Sequence, residues 1–343
     1  MNRLGGNTPS RSYFITAERL RKGGAYVAKF LIRRLGLMVV ILFLVSIIVF
    51  SLVHVTPGDP ARMILGQEAT QEALQALREK MGLNDPLYMQ YIHWVSNVLQ
   101  GDLGNSLKDN TPVLSVLLQK LPVTIQLSVM SFLIAMIIAI PAGIISATRK
   151  GSFWDYFGTT FALSGVSIPP FFLGILLIFI FSISLGWFAP SGYVEPWVDF
   201  KKSMMLMILP ALAVGVRLSA EITRMLRSSM LEVLQADYIR TAYAKGVLEK
   251  GVVLGHALKN ALIPVVTVSG LQLATFLGGA VITETIFAVP GLGRLVIDAI
   301  LTRDFPVVQG AVLFMAIAVV VVNFLIDILY SVLDPRIKLT GGQ

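Results

Sequence analysis

The chain has 343 residues, of which 55% are hydrophobic and 14% charged; soluble domains carry about a quarter charged residues, so the composition favours a membrane protein over a soluble globule. It has no cysteine, which excludes disulfides, thiolate metal sites and cysteine nucleophiles. A net charge of +8 in so apolar a chain fits lipid headgroups and loop orientation better than nucleic acid.

Residues 1–34 read as a polar, basic tail. The first apolar run, LGLMVVILFLVSIIVFSLV (35–53), is uncharged. A cleavable leader would have a shorter core ending in a small-residue site, so 35–55 is read as a retained transmembrane helix. Residues 56–120 form a small helical layer. TQEALQALREKMGLNDP predicts a helix from about Thr70, with Leu74, Leu77 and Met81 on one face and Gly82 as its stop. DPLYMQYIHWVSNVLQGDLG predicts a second, with Asp85 as N-cap, Pro86 first and Gly101 past the end. A third short helix is expected from Thr111-Pro112. His93 and Trp94 lie inside the second helix and read as packing residues rather than ligands.

Spanning the hydrocarbon core takes about 20 apolar residues. Further runs occur at 121–148, 156–194, 203–216, 260–283 and 305–326. The run 156–194 is too long for one straight helix. SIPPFF breaks it at Pro169 and Pro170, leaving 156–167 as a kinked or interfacial entry and 169–187 as the membrane part. The run at 203–216 is short and must continue into RLSAEITRMLRSSMLEVL. Six spans result, with both termini inside. That orientation places 19 of the 28 Lys and Arg on inner segments.

Between Arg217 and Lys259 lie eleven charged residues. At about 2.5–3.5 kcal/mol each near the bilayer centre, lipid burial would cost on the order of 30 kcal/mol, so 217–260 is read as aqueous and inner. Tyr238, Ala242 and Lys245 fall on one helical face, and Gly246 ends or bends that helix. A second short helix is expected from about Glu249 toward Asn260, before Pro264 opens the next span. Two such helices at an angle have the shape of a docking element. A loop that only fixes orientation is the alternative.

Catalytic patterns are lacking. No GxxxxGK[ST] occurs, and GLGR (291–294) and GDLGNS (101–106) read as turns. The three histidines, His54, His93 and His256, have no metal-ligand spacing. The span interiors are nearly free of ionisable groups; Glu284 and Asp327 fall near predicted span ends, where an interfacial role is expected. Ion-coupled carriers place acids or histidines at mid-membrane, so a conduit driven from elsewhere is favoured.

LVHVTPGDPA after the first span, MGLNDPLYMQYIHWVSNVLQGDLGNS, ETIFAVPGLGRLVIDAILTRDFPVVQG (284–310) and DILYSVLDPRIKL (327–339) occur in that order. From about Arg33 to Lys338 the chain resembles the inner-membrane permease subunits of bacterial ABC importers, in the dipeptide/oligopeptide branch. The resemblance implies an all-α polytopic protein of six transmembrane helices, N-in and C-in, with the type I ABC importer transmembrane fold. Its core would be 121–331, its cytoplasmic coupling loop 232–260 and its cytoplasmic tail 332–343. In RTAYAKG, Arg240-Thr241-Ala242 stand where the family's coupling loop has Glu-Ala-Ala, and Gly246 stands for its glycine. The first glutamate is thus replaced, and Lys259 stands about where a Leu-Pro proline is usual.

The resemblance implies an ATPase-coupling role for Tyr238, Arg240, Thr241, Ala242, Lys245, Gly246 and Gly251. Gly246 and Gly251 would permit a sharp turn and close approach, and Arg240, Lys245 and Lys250 would face acids on the ATPase. Gly278 and Gly279 are candidates for lining the pathway or for close helix packing. Implied partners are a second homologous permease, two ATP-binding cassette ATPases, an extracytoplasmic solute-binding protein, a peptide substrate and membrane lipids, with no nucleic acid. No cofactor is expected in this chain, since ATP and Mg would sit on the ATPases, and no enzymatic activity is expected. Nickel, glutathione, haem or oligosaccharide are alternative cargoes within the branch. The location implied is the bacterial inner membrane.

Overall fold

The computed structural model describes residues 11–55, 60–66, 69–80, 82–277 and 280–333. These residues form helices and contain no strand. In chain order they are α1 (Arg11–Val55), α2 (Pro60–Leu65), α3 (Gln71–Lys80), α4 (Leu87–Leu99), α5 (Val113–Thr148), α6 (Phe153–Ser167), α7 (Pro170–Leu177), α8 (Phe200–Leu234), α9 (Asp237–Ala244), α10 (Glu249–Gly251), α11 (Leu258–Leu277), α12 (Val281–Ile286), α13 (Leu292–Leu301) and α14 (Phe305–Leu333). Wider π-turns extend α7 through Ser184 and join α10 to α11 over Val252–Ala257.

Five helical stretches are long and apolar enough to cross a membrane, and α6 with α7 makes a sixth if that pair is one broken span. The two halves meet at 104°. Pro169 and Pro170 impose the bend: residues before a proline avoid the helical region, and Ile168 and Pro169 are extended, with ψ of 122° and 136°.

The core is built on α5 and α8. Small residues let these two long helices approach closely. A Cβ on Gly215 would come within 2.8 Å of the Ser131 backbone oxygen, and one on Gly143 within 2.9 Å of Leu226. Ala135, Ala139, Leu218, Ile222 and Leu226 are buried in the same seam. By contrast α1 is peripheral. It is held to α14 by the Arg34–Asp327 ion pair (3.0 Å) and to α4 by Ser46–Tyr91 (2.7 Å) and the Phe50, Tyr91 and Trp94 rings.

Several expectations need correction. The helix expected from Thr111-Pro112 is the beginning of α5, which passes through Pro122 and Pro141 without a stop; prolines are tolerated in spanning helices whose neighbours resupply the freed carbonyls. Asp85 is not the N-cap of α4. That position is Pro86, with no side-chain cap, and the Asp85 carbonyl accepts from Gln90. Leu74 is buried and Gly82 has φ +67°, as the pattern predicts, while Met81 lies outside the described residues. Trp94 packs against Phe50 and Tyr91, in agreement with its reading, whereas His93 is exposed.

GDLGNS is a turn, with Gly101 and Gly104 at φ +85° and +81°. It is pinned to the start of α14, since Ser106 Oγ and the Leu107 N–H donate to the buried Asp304 carboxylate at 2.5 and 3.1 Å.

Candidate functional site

α9 is a short charged helix between the spans α8 and α11. It follows α8 after Gln235 and Ala236, and its end is fixed by Gly246 at φ +77°. The Gly246 N–H donates to the Tyr243 carbonyl (2.9 Å) and the Val247 N–H to the Ala242 carbonyl (3.2 Å). This is the six-to-one, five-to-two pair that closes a helix on a left-handed glycine.

Ile239 (1% exposed) and Ala242 (9%) make the inward face. They join the cluster containing Met230 of α8, Ala135 and Ala139 of α5, Val252, Val253 and Ala257 of the π-turn, and Ala261 and Val265 of α11. Tyr238 Oη also accepts from Asn260 Nδ2 at 2.9 Å. The loop helix is therefore part of the same hydrophobic body as three spans.

The face pattern differs from that expected. Ile239 and Ala242 are buried, while Tyr238, Arg240, Thr241, Tyr243 and Lys245 are exposed, so Ala242 does not share a free face with Tyr238 and Lys245. Arg240 makes a loose pair with Asp237 (3.6 Å). Both side chains are mostly in solvent, where such a pair contributes little. Thr241 Oγ1 donates to the Asp237 carbonyl.

Gly246 supplies the turn, but an added Cβ there would meet nothing within 4 Å, so this chain makes no close approach at Gly246. Gly251 has ordinary helical φ (−67°), and a Cβ there would touch only Val247, at 3.1 Å. The second short helix is not separate. Glu249–Phe276 is one 28-residue stretch, because no residue before Pro264 stops it and the π-turn absorbs the strain. The docking element is thus one free helix followed by the protruding end of the next span. Beside the exposed Lys245 and Lys250, Leu248 is 82% exposed. The outward surface is basic with an apolar tip. Gly278 and Gly279 lie outside the described residues.

A second constellation, not anticipated from sequence, lies nearby. Arg227 of α8 meets Asp155 of α6 in a two-pronged ion pair, Nε–Oδ1 2.6 Å and Nη2–Oδ2 2.9 Å. Ser146 Oγ of α5 donates to the same carboxylate (2.5 Å), as does the Gly151 N–H (2.9 Å). This ties the 149–152 turn to α8.

Glu284 also departs from its interfacial reading, being fully buried. Its carboxylate accepts from Thr124 Oγ1 and the Arg294 N–H, both at 2.9 Å. GLGR wraps it, and a Cβ on Gly291 would come within 2.3 Å of Oε1. The carboxylate caps α13, where partial positive charge favours an anion. Among the described residues no three His, Asp or Glu gather as metal ligands.

Residues 139–339 match the family described as binding-protein-dependent transport system inner membrane component, and 27–128 match its N-terminal component. The chain is 44% identical over 326 residues to the dipeptide transport system permease protein DppB of Alkalihalophilus pseudofirmus, covering 89% of this chain and 98% of that protein. It is 42% identical over 309 residues to the glutathione transport system permease protein GsiC of Escherichia coli (90% and 98%). A probable peptide ABC transporter permease protein, y4tP of Sinorhizobium fredii, is 41% identical over 315 residues (90% and 99%). The fold is similar to a chain of the MetNI methionine ABC transporter in an inward-facing form, with TM-score 0.54 and 18% identity over 64% of this chain and 96% of that one.

Proposed function

The chain belongs to the family of binding-protein-dependent transport system inner membrane components, and on that premise we propose that it forms half of an ATP-driven import route for short peptides, with α9 as the element a separate ATPase moves. It is an ABC importer permease subunit, a multi-pass protein of the bacterial inner membrane, and not an enzyme. The finer reading adds the cargo and the assembly: a second, homologous permease closes the route, two ATPases bind α9 and its counterpart, and a solute-binding protein delivers cargo outside. Peptide cargo is supported by the names of the relatives, which span dipeptides and glutathione, both short peptides with free carboxylates.

One observation carries the coupling role. Ile239 and Ala242 lie in one buried cluster with α5, α8 and α11, so a push on α9 displaces the loop-side ends of those helices together. Transport then needs two packings of the helices, biased by the nucleotide state of the ATPase. The basic rim of Arg240, Lys245 and Lys250 would set partner choice and encounter rate more than affinity.

The test is gentle-detergent purification from the native host, followed by uptake in vesicles. A second permease and ATPases should co-purify, and peptide uptake should require ATP. Uptake by this chain alone, driven by an ion gradient, would overturn the reading.

The loop makes a sharper prediction. Gly246→Ala should cost about 1–2 kcal/mol for the left-handed backbone and leave transport measurable, since the space around it is open. Gly246→Trp should insert normally yet abolish uptake by filling the surface where the ATPase sits. Wild-type uptake from the Trp variant would remove Gly246 from the interface.

A further inference from the structure

α8 carries charge to a depth where the membrane should not tolerate it. The helix has 35 residues, about 52 Å at 1.5 Å per residue, against a hydrocarbon core of about 30 Å. Its outer end is marked by the Asp199 cap and by Lys201 and Lys202. Counting about 20 residues inward from there places Arg217 and Glu221 within the inner part of the core. Arg217, Glu221, Arg224 and Ser228 follow one another at helical spacing, on a single face. The opposite face, with Gly215, Ser219, Ile222 and Leu226, is buried against α5.

That charged face is open only on the loop side. Its continuation toward the outer end, Ala213 and Pro210, is buried where α7, α12 and Phe287 close over α8. Lower down, Arg217, Arg224 and Ser228 are exposed. Neither guanidinium has a hydrogen-bond or ion-pair partner among the described residues, whereas Glu221 is half-buried and accepts from Gln272 of α11. A lipid-facing arginine at such depth costs about 2.5–3.5 kcal/mol, so intramembrane charges face water or one another.

We propose that Arg217, Glu221, Arg224 and Gln272 form one wall of the water-filled inner half of the translocation route, where they meet the charged ends of the cargo. The proposal rests on the peptide-importer reading and adds the pathway residues to it. Charge order supports this occupant: cation, anion, cation along one stripe is complementary to a molecule carrying one ammonium and one carboxylate. Size supports it too. One helical turn separates Glu221 from either arginine, about 5–6 Å between Cβ atoms, and two extended residues span about 7 Å. A short peptide can therefore place its ammonium at Glu221 and its carboxylate at Arg217 or Arg224.

The native chain has no cysteine, so single substitutions report cleanly. Arg217→Cys, Glu221→Cys and Arg224→Cys would be made in the complete importer, with Lys245→Cys as the aqueous control. Val39→Cys on peripheral α1, 68% exposed, is the apolar control. Inside-out vesicles would be treated with a membrane-impermeant anionic methanethiosulfonate, and label counted on this chain alone. The thiolate is the reacting form and does not persist in hydrocarbon, so the three stripe positions should react at least about tenfold faster than Val39→Cys. Excess dipeptide should slow the reaction at position 221. Rates equal to Val39→Cys would mean that lipid or the second permease covers the stripe, and would overturn the proposal; rates unchanged by dipeptide would overturn its contact with cargo. Labelling requires no transport, so failure of the importer reading would appear separately, as uptake independent of ATP.

Discussion

Arg227→Ala is expected to destabilise the folded chain by about 3 kcal/mol, the low end of what removing one partner of a buried ion pair costs. The low end applies because the Arg227 side chain is 28% exposed while that of Asp155 is 6% exposed. Without the guanidinium, the carboxylate keeps only the Ser146 hydroxyl and the Gly151 N–H. Two oxygens taken out of water are then left with two donors and no countercharge. The turn at 149–152 would detach from α8, and the loop-side ends of α5 and α6 would lose their shared anchor. A thermal shift of the purified importer should show a midpoint several degrees lower for Arg227→Ala. Replacing both partners by apolar residues, Asp155→Leu with Arg227→Met, should recover most of the loss, since no unpaired charge remains. An unchanged midpoint for Arg227→Ala would mean that the pair contributes nothing to holding the turn.

The same pair shows where sequence reading stops. Asp155 and Arg227 are 72 positions apart, and nothing local marks either as a partner of the other. Both read as ordinary inner-loop charges. Glu284 misled for a related reason. A carboxylate beside a predicted span end reads as interfacial, and only folding brings Gly291, Gly293 and Thr124 around it. What was legible had a local cause. Pro169-Pro170 dictates the bend between α6 and α7, Gly246 dictates the end of α9, and uninterrupted apolar runs dictate the spans.

Errors of extent came from treating local signals as boundaries. The short helix at Thr111-Pro112 reads as separate from the apolar run at 121–148, yet α5 is one helix over both and runs through Pro122. The second short helix expected from Glu249 is likewise part of one stretch, Glu249–Phe276, whereas α8 continues past Arg217 to Leu234 as the short run at 203–216 required. Helix continuity is cheap once a neighbouring helix satisfies the disturbed turn, whereas a charge on a span needs only a polar face to look onto.

Ile239→Ala should uncouple transport from ATP hydrolysis. Peptide uptake is expected to fall at least about tenfold while the ATPase still binds and hydrolyses, because truncating a buried isoleucine removes about 2–5 kcal/mol of packing. That loss falls on the attachment of α9 to the spans. The helix has eight residues, and isolated helices shorter than about 12–15 are marginal in water. Its order therefore depends on Ile239 and Ala242 sitting among Met230, Val252, Val253 and Ala257. The exposed residues that the ATPase would touch, Arg240, Tyr243 and Lys245, are unchanged by the substitution, so binding should survive while the displacement is absorbed locally. Two controls separate packing from surface chemistry. Ile239→Val should cost about 0.5–1.5 kcal/mol and keep most uptake. Tyr238→Phe should remove the bond to Asn260, worth about 1 kcal/mol at an exposed site, with a small effect on uptake. Wild-type uptake from Ile239→Ala would mean that force enters the spans elsewhere, through α10 (Glu249–Gly251), the protruding end of the stretch that continues into α11, and the buried cluster beneath α9 would then be structural only.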